Sequence, residues 1–95
     1  MHGIAAEKVP DGKLLRVKVD YSDLIERVQL TGDFFVHPED DVLRIEEAIA
    51  GMRADEDEET ITDVVRTIVT ENRIELIGIS PEAIARNVRR AIESR

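Results

Sequence analysis

Cysteine is absent from the 95-residue sequence, which excludes disulfides, thiolate metal sites and thiol catalysis. Tryptophan is absent as well, and the aromatic complement is one tyrosine and two phenylalanines. The five glycines stand far apart, so no phosphate-cradling glycine motif exists. No apolar run approaches the roughly 18 residues that a bilayer span requires. Met1 to Val9 lacks the apolar stretch of a secretory signal, and the expected compartment is the cytoplasm. Only two histidines occur, His2 and His37, while Ser22, Ser80 and Ser94 read as turn, cap and terminal residues. No Ser–His–Asp constellation is therefore expected. Positive charge is also scarce, with 13 Lys and Arg against 21 Asp and Glu for a net charge of −8. That balance opposes nucleic acid or an anionic membrane surface as the main partner. No catalytic residue and no metal site are assigned, and no enzymatic activity is expected of this chain alone.

What remains is enough for one small domain. Hydrophobic residues make up 42% and charged residues 36%, against a usual charged share of about 25%. Residues 1–7 read as a flexible lead-in, and Val9-Pro10-Asp11-Gly12 as a turn, with Pro and Gly at the positions a type I turn favours. Leu15, Val17 and Val19 alternate with Arg16, Lys18 and Asp20, the period of a half-buried strand. Leu24, Glu26, Val28 and Leu30 form one face of a second alternating run, and the two runs read as an antiparallel hairpin. Gly32 breaks the second run, and Asp33 to Val36 reads as a further extended piece.

Pro38 reads as a helix start, with Val42, Ile45, Ile49 and Met52 on one face and Gly51 at the end. Asp55 to Glu59 reads as a solvated acidic loop, and Thr60 with Asp63 as a cap before the helical spacing of Ile61, Val64, Val65, Ile68 and Val69. Ile74 to Ile79 is a short apolar bridge whose state the pattern leaves open. Ser80-Pro81-Glu82 gives the clearest helix start, with Ile84, Val88, Ala91 and Ile92 as its buried stripe. The fold class is α+β: a small antiparallel sheet of two or three strands with about three helices packed on one face.

Charge is unevenly distributed along this chain. Residues 39–63 carry eleven acids and two arginines, a net −9 that leaves +1 for everything else, with Lys8, Lys13, Arg16 and Lys18 clustered early. The cluster reads either as an ordinary solvent face or as a patch that meets an anion or an acidic partner. The densest segment is Gly32-Asp33-Phe34-Phe35-Val36-His37-Pro38. It reads either as core packing with Asp33 on local backbone, or as an interface, because adjacent residues of an extended segment point opposite ways and one phenylalanine then faces out. An acidic protein-binding adaptor with no tie to catalysis is equally compatible with this composition.

Lys8-Val9-Pro10-Asp11-Gly12-Lys13-Leu14, then Leu30-Thr31-Gly32-Asp33-Phe34-Phe35, Pro38-Glu39 and Ala48-Ile49-Ala50-Gly51, followed by Ile77-Gly78-Ile79-Ser80-Pro81-Glu82-Ala83-Ile84, resembles the accessory domain of lipoate–protein ligases. The resemblance runs from about Lys8 to Ile92, and order and spacing carry it more than any single motif. Asp11 stands where the family's turn often has its first glycine, while Lys13 matches. In that family the domain is fused behind the catalytic domain or made as a separate small subunit, and this chain resembles the separate form. The fold is similar to the iron–sulfur scaffold-like fold, but the ligands such a scaffold needs are missing with the cysteines. The resemblance implies a non-catalytic subunit over residues 1–95 that works with a large catalytic subunit. It implies ATP, Mg and lipoate at the active site of the complex, none bound by this chain alone, and indirectly a lipoyl-acceptor domain as partner. It places Gly12 and Lys13 near the adenylate and phosphates. The dense aromatic junction makes Gly32, Asp33, Phe34, Phe35 and His37 candidates for the subunit contact.

Overall fold

The structure, a computed structural model, describes residues 1–9 and 13–94. Its elements run β1 (His2–Lys8), β2 (Leu14–Tyr21), β3 (Ile25–Gly32), β4 (Phe35–His37), α1 (Asp41–Ile49), α2 (Glu58–Glu71), β5 (Glu75–Ile77) and α3 (Pro81–Glu93). Strands β1, β2 and β3 form an antiparallel sheet in that order, and β4 pairs antiparallel with β5 in a separate two-stranded ladder. The α+β reading holds, with three helices packed on one face of the sheet. Helix α3 lies across β1 and β2, α1 lies against β3, and α2 bridges α1 and α3. The core is built from Leu15, Val17, Val19 and Tyr21 of β2, meeting Ile45 and Ile49 of α1, Ile61 and Val65 of α2, and Ile84 and Val88 of α3. Among the described residues no helix is long and apolar enough to cross a membrane.

The chemistry of each element accounts for where it lies, and several expectations are corrected. Residues 2–8 form strand β1, the third strand of the sheet, instead of a lead-in. Its small residues Gly3 and Ala5 face α3 while Ile4 faces out, the reverse of the pattern that marks an amphipathic strand. In β3 the buried face is Ile25, Val28 and Leu30, and Leu24 and Glu26 are exposed. The register explains this, because Asp20 pairs Arg27 and Tyr21 pairs Ile25, leaving Glu26 as an extra bulge residue that shifts the alternation. Helix α1 begins at Asp41, after a turn in which Asp41, Val42 and Leu43 donate to the carbonyls three residues earlier. Pro38 therefore precedes the helix.

The N-cap of α2 is Asp57, whose Oδ1 accepts from the Thr60 N–H at 2.8 Å. Thr60 is thus the capped residue, and Glu58 and Glu59 leave the acidic loop to occupy the favourable first turn. The open stretch 74–79 contains β5. At α3 the expected cap stands, with Ser80 Oγ accepting from the Ala83 N–H at 3.1 Å and Pro81 leading the helix. The expected turn at Pro10–Gly12 falls outside the described residues.

Two polar contacts lock α3 onto the sheet. The Tyr21 hydroxyl donates to the Ile92 carbonyl at 2.9 Å. Glu7 of β1 receives Arg86 through both carboxylate oxygens, at 2.9 and 2.8 Å, with Asn87 Nδ2 at 2.9 Å and Arg90 Nη1 at 3.1 Å. These partners, the Arg86 hydrogen bonds foremost, hold the Glu7 carboxyl down to about 2 from its ordinary 4.5 although burial pushes the other way. A depressed carboxylate stabilises the fold above its ordinary range and loses that contribution as pH falls toward 2. Glu7→Gln is expected to cost about 2 kcal/mol at pH 7 and to flatten the acid limb between pH 5 and 2, roughly, of the stability profile. Urea unfolding across that range checks it; parallel profiles for the two proteins would remove Glu7 as the acid-sensitive group.

Candidate functional site

The sequence pointed to two separate places, the turn carrying Lys13 and the junction from Gly32 to His37. The structure joins them at one corner, where β2 begins and β3 ends. Gly32 lies opposite Leu15 in the ladder with φ +148°, and a Cβ there would sit 2.0 Å from the Leu14 carbonyl oxygen. Only glycine allows that approach. The next residue, Asp33, takes both backbone groups of Leu14: its own N–H donates to the Leu14 carbonyl at 3.2 Å, and its Oδ1 accepts the Leu14 N–H at 2.5 Å. The chain thus leaves the sheet at Gly32 and is pinned at once to the first residue of β2. Lys13 is the residue just before that pin.

Lys13 is half-buried, and its stem runs across Gly78. Gly78 has φ +88°, and a Cβ on it would lie 2.7 Å from the Lys13 Cγ. The bare α-carbon after β5 therefore forms the bed for the lysine stem, which directs where the ammonium emerges. Gly12 falls outside the described residues.

The two phenylalanines diverge, as an extended segment requires. Phe34 is half-buried and packs against the core, whereas Phe35 is 62% exposed. Phe35 pairs directly across the ladder with Ile77, itself 45% exposed, and His37 pairs with Glu75 on the same outward side. Between them Val36 and Leu76 pair toward the core. An apolar cross-strand pair thus stands outward beside a polar one. An open groove of about 350 Å³ lies between Phe34–Val36, the end of β3 and Glu39 and Val42. Ile77 and Gly78 were not singled out as site residues from the sequence. Their signal was a lone glycine inside an apolar bridge immediately before a helix cap.

Chemically, the corner offers a cation on a constrained stem, an outward apolar pair and an exposed His37–Glu75 pair. Asp33, with its carboxylate committed to backbone, sets the shape of the corner. Among the described residues no group of three or more His, Asp or Glu side chains is placed to hold a metal ion.

No protein-family model matches the chain, and no curated protein sequence does. A solved structure does match. It is of an archaeal lipoylation system, described as a bi-partite lipoate protein ligase and its E2 lipoyl domain, from Thermoplasma acidophilum. The match has 27% sequence identity and a TM-score of 0.72, and covers 94% of this chain and 98% of that chain. With both covered almost end to end, the two chains have nearly the same length. The resemblance read from the residues is thus met by a structural neighbour from a lipoate protein ligase system.

The tight contact at Gly32 gives a direct test of the corner's construction. Gly32→Ala forces either the Leu14 carbonyl or the β3 terminus to move, with an expected cost of about 2–4 kcal/mol. Thermal unfolding should show a fall in Tm of roughly 10 °C or more. An unchanged Tm would mean that the approach of Gly32 to Leu14 is not maintained in solution.

Proposed function

We propose that this chain is the non-catalytic accessory subunit of a two-part lipoate–protein ligase, needed with a large catalytic subunit to activate lipoate with ATP to lipoyl-adenylate. The lipoyl group then passes to a lysine on an acceptor domain. The observation that carries the reading is the near end-to-end match, at 27% identity, with a chain of similar length from a bi-partite ligase system. ATP, Mg and lipoate belong to the active site of the complex, and no residue set of this chain is assigned to hold them.

On this reading the chain acts by position. The outward Phe35–Ile77 pair, with His37 beside it, supplies the anchor against the large subunit, since buried aromatic and aliphatic anchors carry most of an interface's energy. Gly32, Asp33 and the half-buried Phe34 shape and support that contact from behind. Docking there brings Lys13 to the mouth of the partner's pocket. A cation at that place stabilises negative charge developing on the α-phosphate and pyrophosphate as the adenylate forms. A rigid subunit closing over the pocket also excludes water and holds the reactants together.

The first test is lipoyl-adenylate formation by the cognate large subunit, with and without this chain. Strong dependence is expected; equal rates without it would overturn the proposal and favour the adaptor reading. Within the complex, Lys13→Ala is expected to slow adenylation roughly tenfold or more while leaving assembly intact. Phe35→Ala with Ile77→Ala is expected to weaken subunit affinity by about 1–3 kcal/mol, measured by calorimetry. A Lys13 variant of full adenylation rate would remove its electrostatic role, and unchanged affinity would move the interface elsewhere.

A further inference from the structure

The helices cover only one face of the main sheet, and the other face carries charge of the opposite sign to the rest of the molecule. The register aligns its outward residues in rows: His2–Asp20–Arg27, Ile4–Lys18–Gln29 and Ala6–Arg16–Thr31, with Lys8 beside Leu14 at the end. Lys8, Arg16, Lys18 and Arg27 are all exposed. Against these four cations stand Asp20 and, at the bulge, Glu26. The face is therefore positive in a protein whose net charge is −8.

The pairing of these cations differs from that of most cations elsewhere. Arg44, Arg53, Arg66, Arg86, Arg89 and Arg90 each lie within 4.0 Å of a carboxylate, whereas Lys13 and Arg73 form no such pair among the described residues. Among the described residues, none of the four sheet-face cations forms such a pair. In a sequence with 21 acids, this face thus carries only Asp20 and Glu26 against its four cations. On the edge strand β1, Ile4, 52% exposed, stands beside Lys18 of the central strand over a shallow depression of about 250 Å³ lined also by Asp20 and Arg27. An exposed apolar side chain set among charged ones suits a polar, protein-binding surface.

We propose that this open sheet face is a second docking surface, and that its occupant is the acidic surface of a folded protein domain. Resting on the ligase reading above, that domain is the acceptor bearing the lysine to be lipoylated. Charge complementarity selects this occupant. A second copy facing the same surface would set cation against cation, and its acidic stretch 39–63 could meet the face only through a heterologous head-to-tail contact, which the oligomeric state would reveal. A nucleic acid would meet no aromatic platform here and would be repelled by the net charge. The face also runs up to the corner described above, since Arg16 pairs Thr31 just before Gly32 and Lys8 pairs Leu14 just after Lys13. An acceptor steered to the face is delivered beside the proposed active site. Rim charges of this kind act chiefly on encounter rate and salt dependence.

The test separates transfer from activation. The assembled ligase is given preformed lipoyl-adenylate and the unlipoylated acceptor domain as probe, at low and at physiological salt. The Arg16→Glu/Lys18→Glu double variant is expected to raise the acceptor KM about tenfold at low salt and to abolish its salt dependence. Its adenylation rate and its affinity for the large subunit should be unchanged, and Arg16→Gln/Lys18→Gln should fall between. An unaltered KM overturns the proposal. So does loss of large-subunit binding in the double variant, which would place the face inside the subunit contact. Self-association or binding of a labelled DNA 20-mer by the wild-type complex, lost in the double variant, would likewise reassign the occupant. Failure of the ligase reading itself shows separately, as adenylation that does not need this chain.

Discussion

Both backbone groups of Leu14 are held by Asp33, and the geometry of the candidate corner follows from that clamp. It can form only because Gly32 lets the end of β3 press its α-carbon toward the Leu14 carbonyl. The chain is thereby turned off the main sheet within two residues, and β4 pairs with β5 instead of extending β3. The same clamp fixes the start of β2, so the direction in which Lys13 departs is set on the far side of the same bonds. Gly78, following β5, completes the arrangement by lying under the lysine stem. Three glycine or aspartate positions, from two distant parts of the chain, thus determine how a cation and an aromatic residue are presented together.

Electrostatics divides the molecule along its layers. The helical side carries most of the acids and pairs most of its arginines locally, most fully around Glu7, where Arg86, Asn87 and Arg90 converge on one carboxylate. Such a half-buried, multiply bonded pair contributes to holding α3 on the sheet, whereas the exposed pairs such as Arg53–Asp55 contribute little to stability. The sheet's outer face has the inverse composition. Cations without an ion-pair partner leave the face with a net positive potential, screened by salt.

Strand β2 and helix α3 were legible because each satisfies two independent local rules, alternation with a matching partner run in one case, and cap, Pro at N1 and apolar stripe in the other. Strand β1 was not, because its inward positions are the small Gly3 and Ala5 beneath α3 while Ile4 points to solvent, so hydropathy reports the wrong face. The bulge at Glu26 likewise inverts the apparent face of β3 near Leu24, and only pairing with β2 reveals it. Lys13 and the 32–37 segment were visible as residue types, and the divergence of Phe34 and Phe35 followed from strand geometry alone. Their adjacency was not visible, since the contacts that join them, the hydrogen bonds of Asp33 to Leu14 and the packing of Lys13 over Gly78, reach across 19 residues and across most of the chain. Long-range backbone contacts leave no periodicity in a sequence.

On the proposed reading, an accessory subunit helps a reaction chiefly by holding groups in place, and the construction of the corner suits that role. Phe35 stands on a three-residue ladder whose other side, Val36 with Leu76, is packed against the core, so its outward position is set before any partner arrives. The Lys13 stem is confined by Gly78, which removes part of the rotamer freedom that a free lysine surrenders on forming a contact, about 1–2 kcal/mol in full. Were the proposed subunit to dock here, preorganisation of both groups would lower the entropic cost of docking and leave more of the contact energy for positioning. On the proposed reading the two surfaces divide the roles: an apolar pair and a constrained cation at the strand ends suit a standing partner, and a face of cations without ion-pair partners suits a visiting one.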